Sequence, residues 1–396
     1  MARGNPSHEG RFVTAVEHAP TIPAHRHAER IERARAALSS HAAAALLLGV
    51  GADLRYLTGY QAILTERLTM LVLPSSDPAI LVAPRLEAMA AATCPAATEG
   101  LVEVVAWDET QDAHGLVADR LSAFGGRILI SADLWAMHVL ALQGALPGRP
   151  FGLATEVLRD LRMAKDPDEI ALLRRAAHAA DRVLEAIASG PLVGRTEREV
   201  SLEILDGLVA EGHDAAQFAI VASGPNSASP HHHPGDRRIE PGEPIVFDLG
   251  GPFAGYCSDM TRTVWVAGPD RIPPTAEFLA IYDLVRRANA AATAAVRPGV
   301  ACEAIDAAAR RVIEAGGHGP AFLHRVGHGI GLETHEEPYL VGGNSEPLRA
   351  GVAFSIEPGI YLADRHGVRI EDIVVCGAQG PDVLNEATRD LLIVDG

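Results

Sequence analysis

Ile245–Val266 reads IVFDLGGPFAGYCSDMTRTVWV, and this stretch decides the fold. Two apolar, β-branched arms flank a Gly/Pro-rich turn, the pattern of a β-hairpin. Each arm carries an aspartate, Asp248 and Asp259, within or next to an apolar run. Ala353–Val375, AFSIEPGIYLADRHGVRIEDIVV, repeats the logic: strand, polar turn, strand, with Glu357 and Glu371 on the arms. Between the two lies HRVGHGIGLETHEEP, residues 324–338, rich in histidine and glycine.

Acids inside buried strands need an explanation. Asp and Glu are almost never fully buried unless paired, and an ion taken into an apolar interior costs several kcal/mol even after relaxation. No lysine lies nearby, and Arg262 and Arg369 cannot neutralise four acids. Two divalent cations would balance four carboxylates. Carboxylate oxygens with an imidazole suit Mn²⁺, Fe²⁺, Co²⁺ or Zn²⁺ better than they suit a cysteine-rich zinc site. The plainer alternative, acids that cap turns or pair with arginine, serves any one of these residues. It serves all four together with the histidine motif far less well.

Working outward, residues 196–212, 275–296 and 301–315 have helical periodicity, and 218–224 reads as a further strand. Residues 156–190 carry two helices separated at Lys165-Asp-Pro-Asp-Glu, where a proline in the first turn beside acids marks a helix start. A domain junction is placed there. Upstream, AALLLGV, TMLVLP, AILVAP, VEVVAW and RILIS read as strands, alternating with helical stretches from about His27 to His41, in RLEAMAAATC and in WAMHVLALQGAL. That alternation is an α/β domain. GVGADL lacks the third glycine of a dinucleotide fingerprint. The expected organisation is a loose arm over 1–25, an α/β domain over 26–160 and an α+β domain over 161–396.

Composition narrows the function. The net charge of −17 argues against nucleic acid and anionic membrane as partners. Four scattered cysteines, Cys94, Cys257, Cys302 and Cys376, read as free thiols in a reducing cytosol. The N-terminal MARGNPSHEGRF has no apolar core of a signal peptide, and no apolar run reaches the ~18 residues of a membrane span. A cytoplasmic location is expected. Lys165 is the only lysine, and no GxxxxGK[ST] phosphate loop is present.

The motifs SGPNSASPHH, FDLGG, YCSDMTRT, GHGIGLETHEEP, SIEPGIY and VRIEDIVV, in this order, resemble those of the pita-bread metallopeptidases. That family comprises Xaa-Pro dipeptidases (prolidases), Xaa-Pro aminopeptidases and methionine aminopeptidases. DLRYLTGY and LRMAKDPDEI resemble the creatinase-type N-terminal domain, which favours the Xaa-Pro branch. The implied fold is an α/β N-terminal domain plus an α+β C-terminal pita-bread (creatinase/aminopeptidase-like) catalytic domain.

The resemblance implies that Asp248, Asp259, His328, Glu357 and Glu371 hold two divalent ions, most plausibly Mn²⁺, with Asp259 and Glu371 bridging. It implies metal-assisted hydrolysis, with Glu357 managing the proton of the attacking water. It places His231 and His335 against the substrate as further catalytic groups, and His324 in the proline pocket. Tyr256, Tyr361 and Arg369 fall on substrate-contacting or supporting positions. Arg369, two residues before Glu371 and so on the same strand face, either positions that glutamate or meets a substrate carboxylate. Cys257, two residues from Asp259, reads as a small buried packing residue.

The expected partners are short proline-containing peptides and a second copy of the chain in a homodimer. The stretch Glu336–Ile356 contains only Arg349, which leaves the carboxylate clamp of a dipeptidase without a clear candidate and keeps an aminopeptidase open. Two rival readings keep the scaffold: hydrolysis of a non-peptide amide, and a non-enzymatic binding module. The second would be expected to have lost ligands.

Overall fold

A computed structural model describes residues 21–395. The chain divides into two compact units, Thr21–Arg162 and the part from Met163 onward. Most of the arm expected over 1–25 lies outside the described residues, and helix α1 already begins at Ala24.

The first unit contains, in order, α1 (Ala24–Ser40), β1 (Ala43–Leu48), α2 (Ala52–Thr58), β2 (Met70–Pro74), β3 (Ala79–Pro84), α3 (Ala88–Ala92), α4 (Pro95–Thr98), β4 (Val102–Trp107), α5 (Ala113–Arg120), β5 (Arg127–Ile130), α6 (Ala136–Ala145) and β6 (Phe151–Leu153), then α7 (Thr155–Met163). Its six-stranded mixed sheet runs β4-β3-β2-β1-β5-β6. Every residue of β1, β2 and β3 is buried, which explains why these strands read as unbroken apolar runs rather than alternating ones. The helix expected in RLEAMAAATC is α3, and Pro95 starts a separate short helix just after it.

The second unit opens with α8 (Pro167–Ala188), whose start follows from sequence. The Asp166 carboxylate accepts from the Asp168 and Glu169 amides, and Glu169 accepts from the Asp166 amide, a complete capping box. After α9 (Glu197–Ala210) come β7 (Phe218–Ser223), β8 (Glu243–Phe253) and β9 (Tyr256–Val266), then α10 (Ala276–Ala295) and α11 (Cys302–Ala315). The rest is β10 (Gly327–Gly329), β11 (Glu336–Leu340), β12 (Ala353–Ile356), β13 (Gly359–Leu362), β14 (His366–Arg369), β15 (Asp372–Cys376), β16 (Pro381–Val383) and β17 (Leu392–Val394).

Two sheets dominate this unit, β17-β9-β8-β7 and β11-β10-β12-β15-β16. Leu184, Ile187, Val200, Ile204 and Leu208 of α8 and α9 share one core with Phe247, Leu249 and Val264. Phe278, Ile281, Val285, Ile305 and Ile313 of α10 and α11 share another with Phe354, Ile370 and Val374. Each large side chain so buried stabilises the fold by roughly 1.5–3 kcal/mol. No described helix is long and apolar enough to cross a membrane.

Candidate metal centre

The β8–β9 hairpin pairs without interruption from Glu243↔Val266 to Phe253↔Tyr256. The turn is only Ala254-Gly255, both at positive φ, as tight two-residue hairpins require. The Gly/Pro-rich stretch expected as the turn is therefore mostly strand. Gly250 faces Asp259, and a Cβ on Gly250 would sit 2.2 Å from the Ser258 carbonyl oxygen. Asp248 lies opposite Thr261, and Asp259 is two residues from Thr261. Period two puts Asp248, Asp259 and Thr261 on one face of the ribbon.

The second acid-bearing stretch departs from the expected simple hairpin. β12 pairs with β15, while β13 and β14 form a separate two-stranded ribbon. Glu357 and Glu371 stand at the two breaks between these sheets. Their amides donate elsewhere, Glu357 to the Val326 carbonyl and Glu371 to that of Thr261. The breaks deliver both carboxylates to the aspartates. Ligand atoms of Asp248, Asp259 and Glu371 lie within 4.8 Å of one another, as do those of His328, Glu357 and Glu371, and of Asp259, His328 and His335.

His328 sits in β10. Its Nδ1 is 3.1 Å from the Gly329 carbonyl oxygen, so Nδ1 carries the proton. The Nε2 lone pair then faces Glu357 Oε1 at 3.3 Å and Asp259 Oδ2 at 3.6 Å. A lone pair among carboxylate oxygens is repulsive unless a cation lies between them. Without metal, burial is outweighed by the hydrogen bond and charge of Glu357, which raise the His328 pKa, so a proton takes that place, where a divalent ion would displace it.

The electrostatics agree. Burial, then repulsion from Asp248 and Glu357, pushes the Asp259 carboxyl well above its usual range. Burial, then Asp259, Glu357 and Asp248, does the same to Glu371. Burial also raises Asp248, against the pull of Arg369. Burial alone would raise Glu357, but the hydrogen bond and charge of His328 bring it down to about 2. Asp248 Oδ1 is buried with no hydrogen-bond partner. Protein groups alone thus leave this cluster short of positive charge, and divalent cations fit its donor set of carboxylates and imidazole.

Arg369 is 3 % exposed, and the protein engages all three of its nitrogens. Nη2 donates to Asp248 Oδ2 (2.7 Å), Nη1 to the Tyr361 hydroxyl (2.8 Å) and Nε to Thr261 Oγ1 (3.0 Å). Thr261 donates in turn to Glu371 Oε2 (2.6 Å). Arg369 therefore positions acids from both stretches, the first of the two roles that the sequence left open for it.

Tyr361 accepts from Arg369 and lies 2.9 Å from His324 Nε2. The Nδ1 of His324 is 2.7 Å from the Arg325 carbonyl oxygen, so Tyr361 donates to Nε2. The His324 ring packs against Phe322 and Tyr361. Tyr256 is a correction to the substrate-contacting set. It alternates with Asp259 along β9, and its hydroxyl donates to buried Glu169 of α8. Cys257 is buried.

His335 is exposed, its ring edge-on to that of His328 at 4.0 Å between centroids. Burial, then the charge of His328, lowers its pKa to about 4. His231 is also exposed, close enough for its charge to act on Asp248 and His335. Sequence reasoning missed what holds the His231 loop. Glu197, fully buried at the start of α9, accepts from the Ser223 amide and hydroxyl, Asn226, His232 and the Gly235 amide. Arg262, weighed in the sequence only as a counter-charge, is buried and donates to the Glu371 carbonyl and to Asp372.

The profile of Metallopeptidase family M24 matches residues 171–378, and that of the Creatinase/Prolidase N-terminal domain matches 30–164. The chain is 43% identical over 369 residues to a probable dipeptidase, PepE, of Mycobacterium tuberculosis, covering 93% of this chain and 96% of the relative. The crystal structure of dipeptidase PepE from Mycobacterium ulcerans superposes with a TM-score of 0.87 at 43% identity, over 95% of this chain and all of that one. An Xaa-Pro dipeptidase from Bacillus anthracis superposes at 0.83 with 29% identity, over 93% of this chain and all of that one.

Proposed function

We propose that this chain, which belongs to metallopeptidase family M24, hydrolyses the Xaa-Pro bond of dipeptides and short peptides. The observation that carries the reading is the gathering of four carboxylates and the His328 imidazole into overlapping donor groups. Asp259 and Glu371 share one group with Asp248, and each also joins His328 in another, which supports their reading as bridges between two ions, with Asp248 completing one site and His328 and Glu357 the other. Divalent ions held there, Mn²⁺ before Co²⁺, Fe²⁺ or Zn²⁺, would supply an acidified water and polarise the scissile carbonyl.

The protein's own groups do the rest. Glu357 has the most exposed side chain, at 16 %, against 12 % for Asp248 and 5 % for Asp259, so it is the acid that meets the attacking water and takes its proton. His335 stays neutral down to about pH 4 and offers an N–H to the developing negative charge. His231 faces the same charge from the opposite loop. Phe322, His324 and Tyr361 pack edge-on and tilted into an aromatic cluster suited to a proline ring. Proline lacks the N–H that most peptidases grip, so a shaped pocket beside a strong nucleophile answers the problem it poses. The first unit would serve a homodimer, in the cytoplasm.

The engagement of Arg369 by protein favours a second reading, an aminopeptidase that needs no clamp for a dipeptide carboxylate. A panel of Gly-Pro, Xaa-Pro-Yaa, proline-free dipeptides and a non-peptide amide separates these. Preferred cleavage of Gly-Pro supports the dipeptidase and preferred cleavage of Xaa-Pro-Yaa the aminopeptidase. Cleavage of proline-free substrates or the amide at equal rates would contradict both.

A further inference from the structure

The chain makes all but one of its basic side chains arginine, and the one lysine is buried. The Lys165 side chain is 1 % exposed. Its Nζ donates to Glu336 Oε1 at 2.5 Å and to the Met163 carbonyl at 3.3 Å. Glu336 directly follows His335, the exposed histidine that lies edge-on to His328. The Lys165 backbone is itself fixed, its amide donating to the Gly351 carbonyl.

We infer that Lys165 is a positioning residue for the proposed peptidase reaction, holding Glu336 so that His335 meets the substrate in one orientation. The inference rests on the functional reading of His335 given above. The loop 331–335 ends on His335, and Glu336 opens β11 opposite Gly329. The Gly331 carbonyl accepts from the Cys257 amide, two residues before Asp259. Thr334 donates to Gln217 at an exposed position. A further tie is the buried Lys165–Glu336 ion pair.

The site is shaped for this pair. A Cβ on Gly331 would lie 2.7 Å from Glu336 Oε1 and 3.0 Å from Lys165 Cε, so the glycine leaves the pair room to meet. A buried pair is weak evidence for stability, but breaking it leaves one charge uncompensated. The pair therefore gives the loop two discrete states, seated or released, rather than a gradual slackening. Misplacing a reacting group by about 1 Å can lower a rate by roughly 10²-fold.

A single lysine makes the test direct. In Zn²⁺-loaded enzyme labelled with ¹⁵N-lysine, the one Nζ resonance should exchange slowly with water and should lose that protection in Glu336→Gln. A freely exchanging ammonium in the wild type overturns the inference without any variant. In kinetics, Lys165→Met should lower kcat about ten- to hundredfold, with bound metal unchanged and KM within about twofold. On the His335→Ala background the same substitution should change kcat by less than about twofold, because its route is already gone. Equal losses on both backgrounds contradict action through His335. A wild type inactive on every peptide would refute the peptidase reading instead. The His335 ring resonances, unmoved or displaced in Lys165→Met, would still decide whether the lysine places that ring.

Discussion

The two acid-bearing stretches reach the same cluster by opposite means. β8 and β9 pair over their full length, and Asp248 and Asp259 are ordinary inward residues of a regular ribbon. The 353–375 stretch is broken between two sheets, and Glu357 and Glu371 occupy the breaks. A regular ladder fixes its backbone through its own hydrogen bonds. A broken one must be held by side chains, and here it is. Arg262, 1 % exposed, donates to the carbonyls of Thr261, Glu371, Ala387 and Thr388 and to Asp372. Asn289 of α10 donates to the carbonyls of Ile356 and Ile370, the residues just before the two glutamates.

This difference predicts where the molecule breaks. Arg262→Met should destabilise the fold by roughly 3–5 kcal/mol, since it leaves several buried acceptors and part of the Asp372 charge unpaired. It should also loosen Glu371 and weaken metal binding, which calorimetric metal titration beside urea unfolding would detect. A loss below about 1 kcal/mol would mean that the second stretch needs no side-chain support.

The first hairpin has its own weak point, and it responds to acid. His213 packs edge-on to Phe253 near the turn and lies 2.8 Å from Ser258 Oγ. Burial drives its pKa down to about 4, against a smaller upward pull from the Leu208 carbonyl and Asp214. Unfolded, this histidine would titrate near 6.5. Above that pH it is neutral in both states and its packing is fully available. As the pH falls from about 6.5 towards 4, the unfolded chain gains a proton that the fold refuses, and stability declines. The loss approaches roughly 3 kcal/mol for a shift of this size. Unfolding of wild type and His213→Gln at pH 7 and pH 4.5 should show a flatter pH dependence in the variant. Parallel curves would remove His213 from the acid response.

Legibility in the sequence follows the same divide. Asp248 and Asp259 could be placed because period-two strands announce their faces, and α8 because its Asp-Pro-Asp-Glu start is a local signal. The breaks at Glu357 and Glu371 were not legible, since both lie in apolar runs that read as continuous strand. Tyr256 sat in a motif, yet its parity along β9, opposite to that of Asp259, turns it towards Glu169. Glu197 gave no signal, and Arg262 none beyond its charge, because what makes them important is the number of distant groups that each one gathers.

The central claim is that the two stretches form one divalent-metal centre. The most direct measurement is metal content by mass spectrometry alongside Xaa-Pro hydrolysis, for wild type and for one bridging acid removed from each stretch, Asp259→Ala and Glu371→Ala. The account predicts two ions per wild-type chain, loss of hydrolysis on chelation and its return with Mn²⁺ or Co²⁺. Each variant should lose metal and about 10³-fold or more in activity, several kcal/mol of transition-state stabilisation. Full activity in metal-free wild type, or a variant that keeps both ions, would contradict it.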